Sequence, residues 1–413
     1  MADASSPRPS EFFAYAAQHG AAQLVAHSTG NSKIEIDDQT LEDFTSNSYF
    51  GLERDRRLQA AAHSAMMRFG VQYAAPRAHV SLDLYRELEG LLEQIFVGPT
   101  MLAASTTLAH LATLPTLVSP RDLVLMETGV HPSVRLAAEN LVARGVRIHE
   151  VTRGDFETLD SVMWQHAPAF ERVWYLADGV DATFGDVLDI ERLEKVRDEH
   201  PQLYLYIGDS HGMSIRGHHG RGFALDGLRS RARTIVVSSL SKCFAAAGAA
   251  VVFPSDGMKQ RVFDGGAPII SSGPLPPPML GAAIASARIH LADEIIGRQR
   301  RLEALIVTRN DLLARHALPT PVTSASPIAF VELSSEQEVV AVANALRTRG
   351  YYVHATPVTN GRTGIRFTTT VDTSARALEA MLELLAHARN HLHRTPSSRA
   401  SSSSPRGVPC RTT

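Results

Sequence analysis

Residues 236–252 read VVSSLSKCFAAAGAAVV, which sets the amine of Lys242 among small and apolar neighbours that bury at least one side of the segment. Three other places also put polar side chains straight after apolar runs. YLADGVD reaches Asp178, LYLYIGDSHG reaches Asp209 and His211, and MLAASTTLAHLATL sets Ser105, Thr106 and Thr107 at a predicted helix start, while VVSSLSK itself adds Ser239. Singly, each has an ordinary explanation: hydroxyls before a helix cap it, a strand-end Asp forms a turn, and a strand-end lysine snorkels to water. Together they make one chemical kit. A hydroxyl-rich helix start holds a phosphate through open N–H groups and the helix dipole. An acid beside a heteroaromatic nitrogen, a loop histidine and a lysine flanked by small residues complete a pyridoxal phosphate site, in which the lysine forms a Schiff base and the acid supports the pyridinium. Lys242 would then not be buried as a bare cation.

Such a kit needs strands to align it. Apolar β-rich runs alternate with helical patterns in the order DLVLME, SVRLAAENLVARG, RIHEV, RVWYLADG, DIERLEKVRDEHP, LYLYIGD and RTIVVSSLS, which predicts repeated βαβ units and an α/β fold with a mainly parallel sheet. Ligands of such sheets sit at the carboxyl ends of the strands, where the four polar places fall. After GPLPPPML a long helical stretch and the short strands IAFVELS, YYVHAT and GIRFTTT predict a smaller C-terminal α+β domain. The expected organisation is an N-terminal arm (1–50), a large cofactor-binding domain (51–275), a small domain (276–390) and a Ser, Arg and Pro-rich disordered tail (391–413).

A chain of 413 residues, 44% hydrophobic and 20% charged, can bury a large core. Its formal charge of -2 gives no general attraction to nucleic acid or anionic lipid. Two cysteines, Cys243 and Cys410, build no disulfide framework and favour a reducing compartment. Neither a secretory signal pattern nor an apolar span of membrane length is expected, so the reading is cytoplasmic. RGHHGRG lacks further ligands at metal spacing, and there is no HExxH, CxxC, Walker or GxGxxG pattern.

The order of segments from about residue 40 to residue 388 resembles the α-oxoamine synthases, a family of fold-type I pyridoxal phosphate enzymes. TSNSYFGL is similar to the family's first segment, with Asn47 near the substrate. ETGVHPSVRLAA resembles the segment whose histidine, His131, stacks on the cofactor ring, and MLAASTTLAH falls at the phosphate turn. ADGVDATFGDVLDIERLEKV and DSHGMSIRGHHGRG are similar to the next two family segments and place His211 near the phenolic oxygen. SSLSK carries Lys242 as the Schiff-base lysine and Ser239 as a phosphate contact. ISSGPLPP, with Ser272, resembles the loop that reaches the partner subunit's phosphate, and GIRFTTT carries Arg366 for the substrate's α-carboxylate. The resemblance implies a homodimer that joins an α-amino acid to an acyl thioester, from acyl-CoA or an acyl carrier protein, with loss of carbon dioxide. It implies Lys242, His131, His211 and Asp209 as catalytic residues, and Ser105, Thr106, Thr107, Asp178, Ser239 and Ser272 as further cofactor contacts.

The chain also departs from the family pattern. The family's ring-nitrogen acid lies three residues before the histidine, where this chain has Gly208. Asp209 is one residue later, and adjacent strand residues point to opposite faces, so it reaches a ring only from a bulged or twisted strand end. FGVQYAAPRAHVS, with Pro76 and Arg77, replaces a glycine-rich loop that helps to admit the thioester; Ala182 and Phe184 stand for Ser and Asp, and Gly273 for a threonine. Two alternatives follow: an aminotransferase or aldol-type lyase, which needs no thioester site, and a non-catalytic partner subunit, which would typically lack the lysine kept here.

Overall fold

A computed structural model describes residues 9–394. The expected tail begins inside its last helix, and residues 395–413, like residues 1–8 of the arm, lie outside the described residues.

The arm forms helix α1 (Pro9–Gln18) and strands β1 (Ala26–Gly30), β2 (Lys33–Ile36) and β3 (Gln39–Asp43). Helices α2 (Arg56–Phe69) and α3 (Asp83–Phe96) follow. In α3, Leu84, Leu88, Leu92 and Ile95 recur at helical spacing and are buried together with Tyr85 and Phe96. The chain then alternates through β4 (Thr100–Ala103), α4 (Thr106–Leu117), β5 (Leu123–Glu127), α5 (Pro132–Ala143), β6 (Arg147–Val151), α6 (Phe156–His166), β7 (Val173–Asp178), α7 (Ile190–Glu199), β8 (Leu203–Gly208), α8 (Phe223–Gly227), β9 (Thr234–Ser239) and β10 (Ala249–Val252).

Seven of these strands form one sheet in the order β4-β10-β9-β8-β7-β5-β6. Strand β10 is antiparallel to both its neighbours and the other pairs are parallel. The inner strands are buried on both faces, which is why VWYLAD and TIVVSS are almost wholly apolar up to their last residues. Alternation sorts them: Val173, Tyr175 and Ala177 of β7 enter one core, Trp174 and Leu176 the other.

Helices α9 (Asp256–Gly265), α10 (Ala267–Ser271), α11 (Pro277–His290) and α12 (Glu294–Arg315) lead to β11 (Ile328–Leu333), α13 (Glu336–Arg347), β12 (Tyr351–Tyr352), β13 (His354–Thr359), β14 (Arg362–Thr368) and α14 (Ala375–Arg394). The last domain is an antiparallel sheet, β11-β14-β13, backed by helices. Its core also takes Phe12 and Phe44 from the arm, and β3 pairs with β12. Helix α11 sits on the large-domain side of the boundary expected at residue 276, because Leu280, Ala283, Ile284 and Ala287 join the large core. Gly281 lets α11 lie against α2, where a Cβ would stand 2.4 Å from the Ala61 carbonyl oxygen. The passage between domains falls within α12. Ile295, Leu302 and Ile306 pack with Tyr49, Leu52 and Cys243, whereas Leu312 and Leu313 enter the small-domain core.

Candidate active site

Parallel pairing brings the carboxyl ends of β7, β8 and β9 to one edge of the sheet, beside the turn from β4 into α4. A cleft of about 160 Å³ opens there, lined by Thr106, His110, His131, Asp178, Gly208, Ser210, His211, Ser239 and Lys242. Lys242 follows β9 through the turn Leu240–Ser241. Burial, with the positive charge of Arg366, pushes its amine down to about 8, against the opposing pull of Asp178.

The amine lies 2.7 Å from His211 Nε2. Burial first, then Lys242 and Arg366, hold His211 well below its ordinary range, so the ring is neutral. An ammonium has only protons to give, which makes Nε2 the acceptor and leaves the ring proton on Nδ1, donated to the Tyr49 hydroxyl at 2.7 Å. Tyr49 in turn donates to Asn47 Oδ1 at 3.3 Å, and Arg366 Nη2 donates to the same oxygen at 3.1 Å. One unbroken chain of hydrogen bonds thus runs from Lys242 to Arg366.

Arg366 is 8% exposed on β14. Its Nε donates to the Ala182 carbonyl at 2.7 Å and its Nη1 lies 3.2 Å from His354 Nδ1. Burial pushes His354 down to about 4, so its ring is a neutral acceptor. Among the described residues no carboxylate lies within ion-pair distance of Arg366. Three of the five guanidinium protons are used, leaving one on each terminal nitrogen for a bidentate anion.

His131 caps α5: its Nδ1 accepts from the Ser133 N–H at 3.2 Å and meets Ser133 Oγ at 2.7 Å. Its own N–H donates to Asp178 Oδ2 at 2.7 Å. Burial pushes the Asp178 carboxyl up to about 7, and among the described residues no hydrogen bond reaches its second oxygen. At the start of α4, Ser105 Oγ accepts from Leu108 N at 3.2 Å. The first-turn N–H groups of Thr106 and Thr107 are left for a ligand. Ser239 shares a 2.8 Å hydrogen bond with Ser241.

Not every expected residue meets the cleft. Gly208 and Ser210 line it, and Asp209, between them, faces the other way by strand alternation. Asp209 is fully buried, accepts from Ala224 N at 2.9 Å, and draws the N–H groups of Phe223 and Gly212, so it ties the loop after β8 to α8. No register shift interrupts the pairing of β8 with β7 and β9, and Asp209 is not among the residues that line the cleft. Ser272 ends α10 outside the cleft. Loop 70–82 is pinned by Arg77, which pairs with Glu89 at 2.6 Å, donates to the Leu102 carbonyl at 2.9 Å and stacks on Tyr85.

Sequence reasoning passed over Tyr49 and His110. Tyr49 lies two residues after Asn47, in the turn closed by the Gly51 N–H on the Ser48 carbonyl. His110 lies one helical turn after Thr106, is bonded to Tyr206 at 2.7 Å, and is pushed down to about 3 by burial. These spacings were the available signals. The donor set as a whole, an amine of low basicity, a carboxyl with a free oxygen, and a hydroxyl-rich helix start, fits a phosphorylated pyridine aldehyde.

Comparison with known proteins agrees with the geometry. The chain is 28% identical over 376 residues to an 8-amino-7-oxononanoate synthase of Xanthomonas campestris pv. campestris, with 88% of this chain and 90% of that protein covered. Among solved structures, serine palmitoyltransferase of Sphingomonas wittichii superposes with a TM-score of 0.85 at 19% identity, covering 94% of this chain and 97% of the other. A structure described as SPT with PLP gives 0.83 at 18%, covering 93% and 99%. The family model described as aminotransferase class I and II matches residues 41–383. The fold is that of the fold-type I pyridoxal phosphate transferases, and the chain belongs to the class I and II aminotransferase family.

Proposed function

We propose that this chain is a pyridoxal phosphate enzyme of the α-oxoamine synthase kind, which condenses an α-amino acid with an acyl thioester and releases carbon dioxide and a free thiol. One observation carries the reading. A half-buried lysine amine of lowered basicity in the cleft and a buried arginine without an anionic partner are joined by a chain of hydrogen bonds, as an amino acid held by its carboxylate requires. When bound, the cofactor supplies an electron-withdrawing ring that stabilises negative charge at the amino acid's Cα.

The chain's own residues do the rest. Lys242 would hold the cofactor and, with the amino acid in place, would serve as the base that moves protons at Cα. His211 accepts from the lysine Nζ and keeps it aimed, its own orientation fixed through Tyr49. Arg366 and Asn47 grip the carboxylate. Thr106, Thr107 and Ser239 hold the phosphate with the start of α4, and His131 walls the ring. The acyl group arrives on coenzyme A or a carrier protein. The working form is a homodimer in the cytoplasm, with Ser272 serving the partner's site. Support for the compartment is the scarcity of cysteine and the free, buried thiol of Cys243. Among the described residues no helix is long and apolar enough to cross a membrane.

The test is to add pyridoxal phosphate to the purified chain, reduce with borohydride, and weigh the peptide that contains Lys242. Amino acid and acyl thioester panels then follow, with carbon dioxide and free thiol as readouts. Cofactor mass on Lys242 and paired release of both products are expected. Transfer of the amino group to an oxoacid with neither product would overturn the condensation and leave an aminotransferase.

A further inference from the structure

The pyridine ring of the cofactor withdraws electrons most strongly when its nitrogen is protonated, and a protonated ring nitrogen in a buried cleft calls for a carboxylate. Two aspartates stand at the strand ends, Asp178 and Asp209, and the geometry separates them. The register of β7 against β8 sets Asp178 directly beside Gly208. A Cβ built on Gly208 would stand 2.8 Å from Asp178 Oδ1, so this carboxyl fills the space over position 208 that a side chain there would need. Asp178 Oδ2 is fixed by the His131 N–H at 2.7 Å, which leaves Oδ1 for a ligand.

Among the described residues no cation forms an ion pair with that carboxyl. Arg153 gives one N–H to the Asp178 backbone carbonyl at 2.7 Å and three more to Glu127 and Asp186, with none on the Asp178 carboxyl. Asp209 Oδ1 also lacks a hydrogen-bond partner, but it is buried under Gly179 and Gly212 on the far side of the strand end, and only Asp178 of the two lines the cleft.

We propose that Asp178, on β7, is the residue that pairs with the protonated ring nitrogen, standing one strand over from Gly208. The two positions form an exchange pair: an acid on β7 requires that β8 carry no side chain at the same level. This rests on the pyridoxal phosphate reading above and assigns one role within it. His131 is a positioning residue for this acid, acting through its N–H.

The experiment is nitrogen NMR of the holoenzyme loaded with pyridoxal phosphate labelled with nitrogen-15 in the ring. The wild-type protein and Asp209→Asn should show a pyridinium. Asp178→Asn keeps an acceptor for the His131 N–H and should show a neutral pyridine. Loss of one charged hydrogen bond should also weaken its hold on the cofactor by roughly ten- to a hundredfold. The exchange Asp178→Gly with Gly208→Asp should restore the pyridinium. A loaded Asp178→Asn that keeps the pyridinium, an Asp209→Asn that loses it, or an exchange variant that binds cofactor and stays neutral would overturn the assignment alone. A wild-type chain that takes up no pyridoxal phosphate overturns the cofactor reading and the assignment with it.

Discussion

Replacing Arg366 by lysine or alanine tests how the cleft grips its substrate. The guanidinium spends three protons on Ala182, His354 and Asn47 and keeps one more on each terminal nitrogen. A carboxylate taking both gains two charge-assisted hydrogen bonds, each worth about 1.5–3 kcal/mol. Arg366→Ala should therefore lower kcat/KM for the amino acid by roughly a hundredfold to ten-thousandfold. Lysine keeps the charge but not the fork, and should recover only part of the loss. The assay is initial rate against amino acid at saturating thioester, then the reverse. The loss should fall on the amino acid, with thioester KM little changed, and amines that lack a carboxylate should lose nothing further. An Arg366→Ala enzyme with wild-type amino acid KM and kcat would refute the reasoning.

Three further outcomes follow from the same geometry. Because the Lys242 amine titrates at about 8 instead of 10.5, the rate of cofactor uptake should climb with pH and level off above about 8. In cofactor-free protein the unfolded chain binds more protons than the folded one between those values, so this lysine's penalty, about 3 kcal/mol, is full below pH 8 and fades toward pH 10.5. Denaturant titrations should find the advantage of Lys242→Met shrinking from pH 7 to pH 10; a constant difference would contradict it. Tyr49→Phe strands the buried His211 N–H and should cost about 1–3 kcal/mol of stability, read from the denaturant midpoint. Gly281→Ala drives a methyl into the Ala61 carbonyl and should destabilise by about 1–3 kcal/mol while leaving the strand-end chemistry intact, measured by melting and by cofactor affinity.

The alternation of strands and helices was legible because the inner strands are buried on both faces and must be continuously apolar. Residues at strand ends, Asp178, Gly208, His211, Ser239 and Lys242, were found by that rule, and the cleft gathers them. What sequence obscured were relations across strands. That Asp209 turns away follows from alternation, but that the Asp178 carboxyl lies over Gly208 depends on register and on a hydrogen bond from a residue 47 positions away. The boundary at residue 276 was drawn from a run of prolines. Those prolines open α11, whose small residues at 281–283 and 285 serve close packing on α2, a contact that composition does not announce.

Helix α12 has one half beneath Tyr49 and the other in the core that carries β14. Lys242 and Arg366 consequently rest on different packing clusters, and the span between them is a caliper whose jaws are two cores. A change deep in the small-domain packing resets what the caliper measures without touching the strand ends that hold the cofactor. Descendants of such a chain can trade one amino acid for another by drift in a remote core, keeping the same reaction while its diet changes.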